Sequence, residues 1–165
     1  MITAGRLNAF KDAFAFLLNP PLCELIQNAT GQTIPNNAWT PIAFADGGAS
    51  IQSDTYGGFS ASANTRYTAQ VTGWYTVAGV VSFNANAVGG RGTHIYRNGV
   101  AVKGHGTLLP PVNGGISSVP TPTRDVFLTA GQYVELYGFQ SSGAGLGTFI
   151  AADHTSSLYV RWSHA

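Results

Sequence analysis

The chain's 165 residues suit a single domain, and a hydrophobic content of 44% excludes global disorder. Only 9% of residues are charged and the net charge is +1, so no basic field exists to gather nucleic acid or an anionic membrane. One cysteine, Cys23, excludes an intrachain disulfide framework, and no apolar run approaches the roughly 20 residues that span a bilayer.

Residues 1–20 form a unit of their own. Leu7, Phe10, Phe14, Leu17 and Leu18 recur at helical spacing, with Arg6, Lys11 and Asp12 off that stripe. Asn19-Pro20-Pro21 ends the predicted helix, because a residue before proline is pushed out of the helical region. So short a helix is marginal alone in water, so its stripe must dock. Two readings are open: packing on its own domain, or service as a trimer stalk or an anchor into a larger assembly. The N-terminus lacks the charged region and apolar core of a secretion signal, and the expectation is a chain not routed for export.

From residue 21 to 165 the helical pattern gives way to short β-prone segments punctuated by glycine and proline, as in an all-β sandwich or barrel. Strands are expected at 22–29, 39–45, 66–70, 73–84, 91–97, 100–103, 123–129, 133–139 and 157–163. Along 73–84, alternation puts Tyr75, Val77, Gly79, Val81 and Phe83 on a core face. The opposite face carries Trp74, Thr76, Ala78, Val80 and Ser82, without a charge. A strand with two dry faces needs a cover on each, and the second cover is expected to be another copy of the chain.

Asn98-Gly99 predicts a tight hairpin, since both turn residues take positive φ. It sets Ile95 opposite Val102 and Tyr96 opposite Ala101. A second hairpin is expected at 126–137, with Leu128, Val134 and Leu136 inward. Segments 104–122 and 141–156 read as long loops. In 157–163, Tyr159 and Trp162 fall on opposite faces.

The sequence presents no catalytic constellation. His94, His105, His154 and His164 lack zinc-site spacing, and Asp46, Asp54, Asp125 and Asp153 form no calcium loop. No pair of acids stands out for glycoside hydrolysis. Gly58-Phe59-Ser60 lacks the glycine and helix of a nucleophile elbow, and Gly143 to Gly147 lacks dinucleotide-site spacing. No metal or cofactor is expected. Among the aromatics, Tyr56 and Phe59 lie in a glycine-rich stretch and are the expected exposed pair, able to act as flat platforms against a host surface glycan.

Taken in order, Gly73-Trp-Tyr-Thr-Val77, Val81-Ser-Phe83, Ile95 with Asn98-Gly99, Val126-Phe-Leu128, Gly131-Gln-Tyr-Val134-Glu-Leu136 and Ser142-Gly143 resemble the C1q/TNF-like globular domain. The resemblance runs from Leu22 to the C-terminus. Gln132 departs from the family's aspartate after the glycine, and the collagen stalk of many members is absent. The N-terminal helix and Asn19-Pro20-Pro21-Leu22 resemble instead the C1q-like virion proteins of tailed phages, of the small minor tail or head-fibre kind found in actinobacterial phages.

The resemblance implies an all-β, ten-stranded jelly-roll sandwich with a short N-terminal α-helix, assembled as a homotrimer. It places Trp74, Thr76, Ala78, Val80, Tyr159 and Trp162 at the trimer interface. It implies a non-enzymatic structural protein, a minor tail or fibre protein, assembled in the bacterial cytoplasm into a virion. Such a protein joins other virion proteins through its helix and touches the host cell surface. The alternatives are a capsid decoration protein on local three-fold axes and a carbohydrate-active enzyme.

Overall fold

The computed structural model describes residues 3–151 and 153–165. Met1, Ile2 and Ala152, which the expected N-terminal unit and second long loop include, lie outside the described residues. The chain begins with α1 (Ala4–Leu18). The Thr3 hydroxyl caps α1 by accepting the Arg6 N–H at 3.4 Å, and Asn19 closes it with its N–H on the Ala15 carbonyl. Pro20 and Pro21 then prevent continuation.

The strands are β1 (Leu22–Ile26), β2 (Thr33–Ile34), β3 (Thr40–Pro41), β4 (Ile51–Asp54), β5 (Arg66–Thr68), β6 (Gly73–Phe83) and β7 (Arg91–Arg97). They continue with β8 (Val100–Leu109), β9 (Ser117–Pro120), β10 (Arg124–Leu128), β11 (Tyr133–Gln140), β12 (Leu146–Gly147) and β13 (Ser157–His164). The first sheet runs β10-β6-β13-β1-β4, with β9 also on β6. The second runs β3-β11-β7-β8, with β5 also on β11, and β12 with β2 makes a separate two-stranded ladder. The expected ten strands are thus thirteen among the described residues. The additions come mostly from segments read as loop: β8 extends to Leu109, and β9, β12 and β4 form where the sequence shows no apolar alternation.

The core lies between the two sheets. Tyr75, Val77, Val81 and Phe83 of β6 are fully buried, as the alternation predicts, and face Val134 and Leu136 of β11 and Ile95 of β7. Gly79 completes that row without a side chain. A Cβ there would come within 2.6 Å of Leu136 Cδ1, so this glycine lets the second sheet settle onto the first. The Arg91 guanidinium is buried too, over the Phe83 ring. Its Nη1 donates to the Val88 and Gly90 carbonyls and its Nη2 to that of Asn86, which pins the 86–90 loop.

The hairpin at Asn98-Gly99 forms, with positive φ at both residues and Tyr96 paired to Ala101 as expected. Ile95 and Val102 are not partners. The register shifts, and His94 pairs with Gly106, so residues 102–105 bulge opposite Ile95 alone. Gly104, at φ +74°, makes the bend. The bulge turns His105 into the core, where its Nε2 donates to the Val77 carbonyl at 3.1 Å.

Candidate functional site

The α1 stripe stands clear of the sandwich. Leu7, Phe10, Phe14, Leu17 and Leu18 are 61–83% exposed, and no residue of the helix is buried. Phe16 alone is half-buried: its ring meets Trp162 edge-on at 4.7 Å and Tyr56 at 6.1 Å. At 3.6 residues per turn, Phe16 sits across the helix from Phe14. The contact through Phe16 therefore turns the apolar stripe away from the chain's own domain.

The outward face of the first sheet holds Trp74, Thr76, Ala78 and Val80 of β6, beside Tyr159 of β13 and Phe127 of β10. Trp74 is 39% exposed and packs on its cross-strand neighbour Phe127 at 5.5 Å and on His164 at 6.0 Å. The Thr76 hydroxyl donates to Asp125 at 2.6 Å. Trp162 does not belong to this face. It pairs with Tyr75, so it points to the core side, where it packs against buried residues and Phe16. Its expected place among the outward interface residues is corrected by that register.

Tyr56 and Phe59 are not the exposed pair expected. Asp54 accepts the N–H groups of Gly58 and Phe59 at 3.0 and 2.9 Å and folds the turn inward. Phe59 is half-buried against the core, and Tyr56 is half-buried beside Phe16. The cause is Gly58, whose missing side chain leaves room for the Tyr67 ring.

The other acids serve the scaffold. Asp46 accepts the N–H groups of Asn28, Ala29 and Thr30, and these bonds, that from Ala29 foremost, hold its carboxyl down at about 2. Burial pushes the Cys23 thiol well above its ordinary value, and the nearby Asp54 and Glu24 charges add to this. Among the described residues no three His, Cys, Asp or Glu side chains converge on a metal position. A cleft of about 520 Å³ lies between β10 and the β7–β8 hairpin, walled by Trp74, Phe127, Arg97 and Lys103. Arg97 is engaged there by the Phe127 carbonyl at 3.2 Å.

The outward face of the second sheet carries a feature the sequence reading missed. Cross-strand register puts His94 and Tyr96 of β7 on one face with Glu135, Tyr137 and Phe139 of β11. Trp39, from the segment before β3, lies over Phe139 at 5.1 Å and beside His94 at 5.8 Å. His94 meets Tyr96 at 5.5 Å, and Tyr96 stacks on Tyr137 at 3.8 Å. Burial and the Glu135 charge push the Tyr137 phenol up to about 12. The signal was available: with Val134 and Leu136 inward, Tyr133, Tyr137 and Phe139 had to point out.

No family model and no curated protein matches the sequence. Solved structures do match. The globular domain of zebrafish complement 1qA protein superposes with a TM-score of 0.58 at 14% identity, covering 88% of this chain and 98% of that one. Murine APRIL at pH 5.0 gives 0.62 at 12% identity over 86% and 98%, and Eiger TNF from S. frugiperda gives 0.60 at 11% over 88% and 94%. The chain therefore shares the C1q/TNF jelly-roll fold.

Proposed function

We propose that the chain is a non-enzymatic structural module that works as a homotrimer in the particle of a tailed phage, as a minor tail or fibre protein touching the host surface. The observation that carries this is the pairing of two unpartnered apolar surfaces on one small domain. One is the α1 stripe and the other is the outward face of the first sheet, apolar around Trp74, Phe127, Ala78 and Val80 and crossed by the row Asp125, Thr76 and Arg161. Isolated apolar residues on a surface need no cover, whereas contiguous patches mark interfaces.

The division of labour follows from position. The first sheet's face lies on the rigid sandwich and supports self-association, and the C1q/TNF-like resemblance supports three copies. The stripe lies on a helix held, among the described residues, through Phe16, with Arg6 and Lys11 at its flanks, and supports attachment to a neighbouring particle protein. The phage setting rests on the likeness of this helix and Asn19-Pro20-Pro21-Leu22 to C1q-like virion proteins.

Light scattering on the purified chain tests the assembly. The expected mass is three times the 17.2 kDa of one chain, and Val80→Glu is expected to reduce it to a single copy. A well-folded single copy of the unaltered chain overturns the reading. Removing residues 1–20 is expected to leave the trimer intact but absent from particles; normal incorporation refutes the anchor.

A further inference from the structure

The five rings of Phe139, Trp39, His94, Tyr96 and Tyr137 form one unbroken series, each within 5.8 Å of the next. Their floor is bare. A Cβ at Gly92 would lie 2.9 Å from Trp39 Cη2, and one at Gly106 would collide with the His94 ring. The His94 ring and the tip of the Trp39 ring therefore occupy space that side chains at Gly106 and Gly92 would take, and the two rings meet edge to face. Trp39 and His94, with Gly104, Gly106 and Leu108, bound a shallow depression of about 200 Å³. Trp39 is 39% exposed and Leu108 is 64% exposed.

The charges on this face are already engaged. The Arg66 guanidinium sits over the Tyr133 ring at 4.6 Å. The Glu135 carboxylate is buried and accepts the Thr65 hydroxyl at 2.8 Å and the Tyr137 hydroxyl at 3.5 Å. His94 Nδ1 lies 2.9 Å from the Ile95 carbonyl, which only accepts, so Nδ1 carries a proton and donates it there. Aromatic faces with polar edges and no free charge match the C–H faces and hydroxyls of an uncharged sugar.

We infer that the outward face of the second sheet is a binding platform for a neutral glycan, centred on Trp39 and His94 and extended along Tyr96 and Tyr137. The inference rests on the host-contact part of the proposed function and moves that contact from Tyr56 and Phe59 to the opposite layer from the assembly face. The series turns back on itself, since Tyr137 stands opposite His94, so the platform suits a short stretch of an uncharged polysaccharide, and the near-neutral net charge of +1 argues against a nucleic acid strand stacking there.

The test is affinity electrophoresis of the full chain through gels containing a neutral glucan, galactan, mannan or arabinogalactan, with polygalacturonate as the anionic comparison. At least one neutral polymer is expected to retard the protein and alter its tryptophan fluorescence, and polygalacturonate is not. Trp39→Ala and Leu108→Glu are each expected to weaken binding about tenfold or more, with unchanged melting temperature. Val112→Ala, at an exposed loop position before β9, is expected to bind normally. The platform is refuted if no neutral polymer retards the chain, if polygalacturonate retards it equally, or if folded Trp39→Ala and Leu108→Glu both bind like the unaltered protein. Mass measured on the same samples separates the two ideas: a monomer that binds refutes only the trimer, and a trimer that does not bind refutes only the platform.

Discussion

Phe16 and Trp162 meet edge to face with ring centroids 4.7 Å apart, and this contact latches α1 to the sandwich. Phe16→Ala is expected to free the helix while leaving the sandwich almost unchanged, since the aromatic pair it removes is worth only about 1 kcal/mol. Limited proteolysis checks it, with faster cleavage near Asn19 and little change in the melting temperature. Equal cleavage in both proteins argues that the helix is held by something else.

Gly79→Ala is expected to destabilise the fold by about 1–3 kcal/mol, because the new methyl meets Leu136 and the Ser157 carbonyl in a packed interior. Urea unfolding measures it, and a double variant with Leu136→Val is expected to recover part of the loss. Gly131→Ala is a useful comparison: its Cβ meets no atom, so any cost there comes from positive φ alone.

His105 is expected to make the protein acid-sensitive. Burial, foremost, holds its pKa below the ordinary value, with the Arg124 and His94 charges acting in the same direction and the Val77 carbonyl opposing. A depressed folded value means that the unfolded chain takes up the proton first. The contribution of neutral His105 is complete above about pH 6.5 and is lost as pH falls from there through the folded value. His105→Gln is expected to flatten the fall in melting temperature between pH 7 and pH 5, values chosen to straddle about 6.5. An unchanged slope assigns the sensitivity elsewhere.

Arg91 is expected to resist even a conservative change. Its planar fork serves the carbonyls of Asn86, Val88 and Gly90 at once, which a lysine ammonium cannot match. Arg91→Lys is expected to cost about 1–2 kcal/mol, since it strips the loop of hydrogen bonds that one ammonium cannot replace. Hydrogen exchange at the 86–90 amides is expected to speed up with it, and unaltered exchange removes the loop-pinning role.

What the sequence revealed depended on how local each cause is. The faces of β6 were legible because Tyr75, Val77, Val81 and Phe83 alternate strictly and all four are buried. The Asn98-Gly99 turn was legible for the same reason, as turn geometry is set by two adjacent residues. The bulge at 102–105 was not, because it answers to a distant request: the Val77 carbonyl on the other sheet takes the His105 N–H. β4 and β9 escaped notice because Gln52, Ser53 and Ser118 carry no apolar rhythm, and each strand sends a single apolar side chain, Ile51 and Val119, to the core while its ladder pairs with a neighbour. The true neighbours of Tyr56 and Phe59 hinged on Gly58, whose effect lies in the Tyr67 ring it admits.

β13 lies in the middle of its sheet, hydrogen-bonded to β6 on one side and β1 on the other, with Leu22 opposite Arg161. During synthesis β1 emerges long before β13, the partner it needs. A chain that stops between β6 and β13 leaves β1 and β6 each with an open edge, so the sheet closes only once β13 is available, through contacts of long sequence separation.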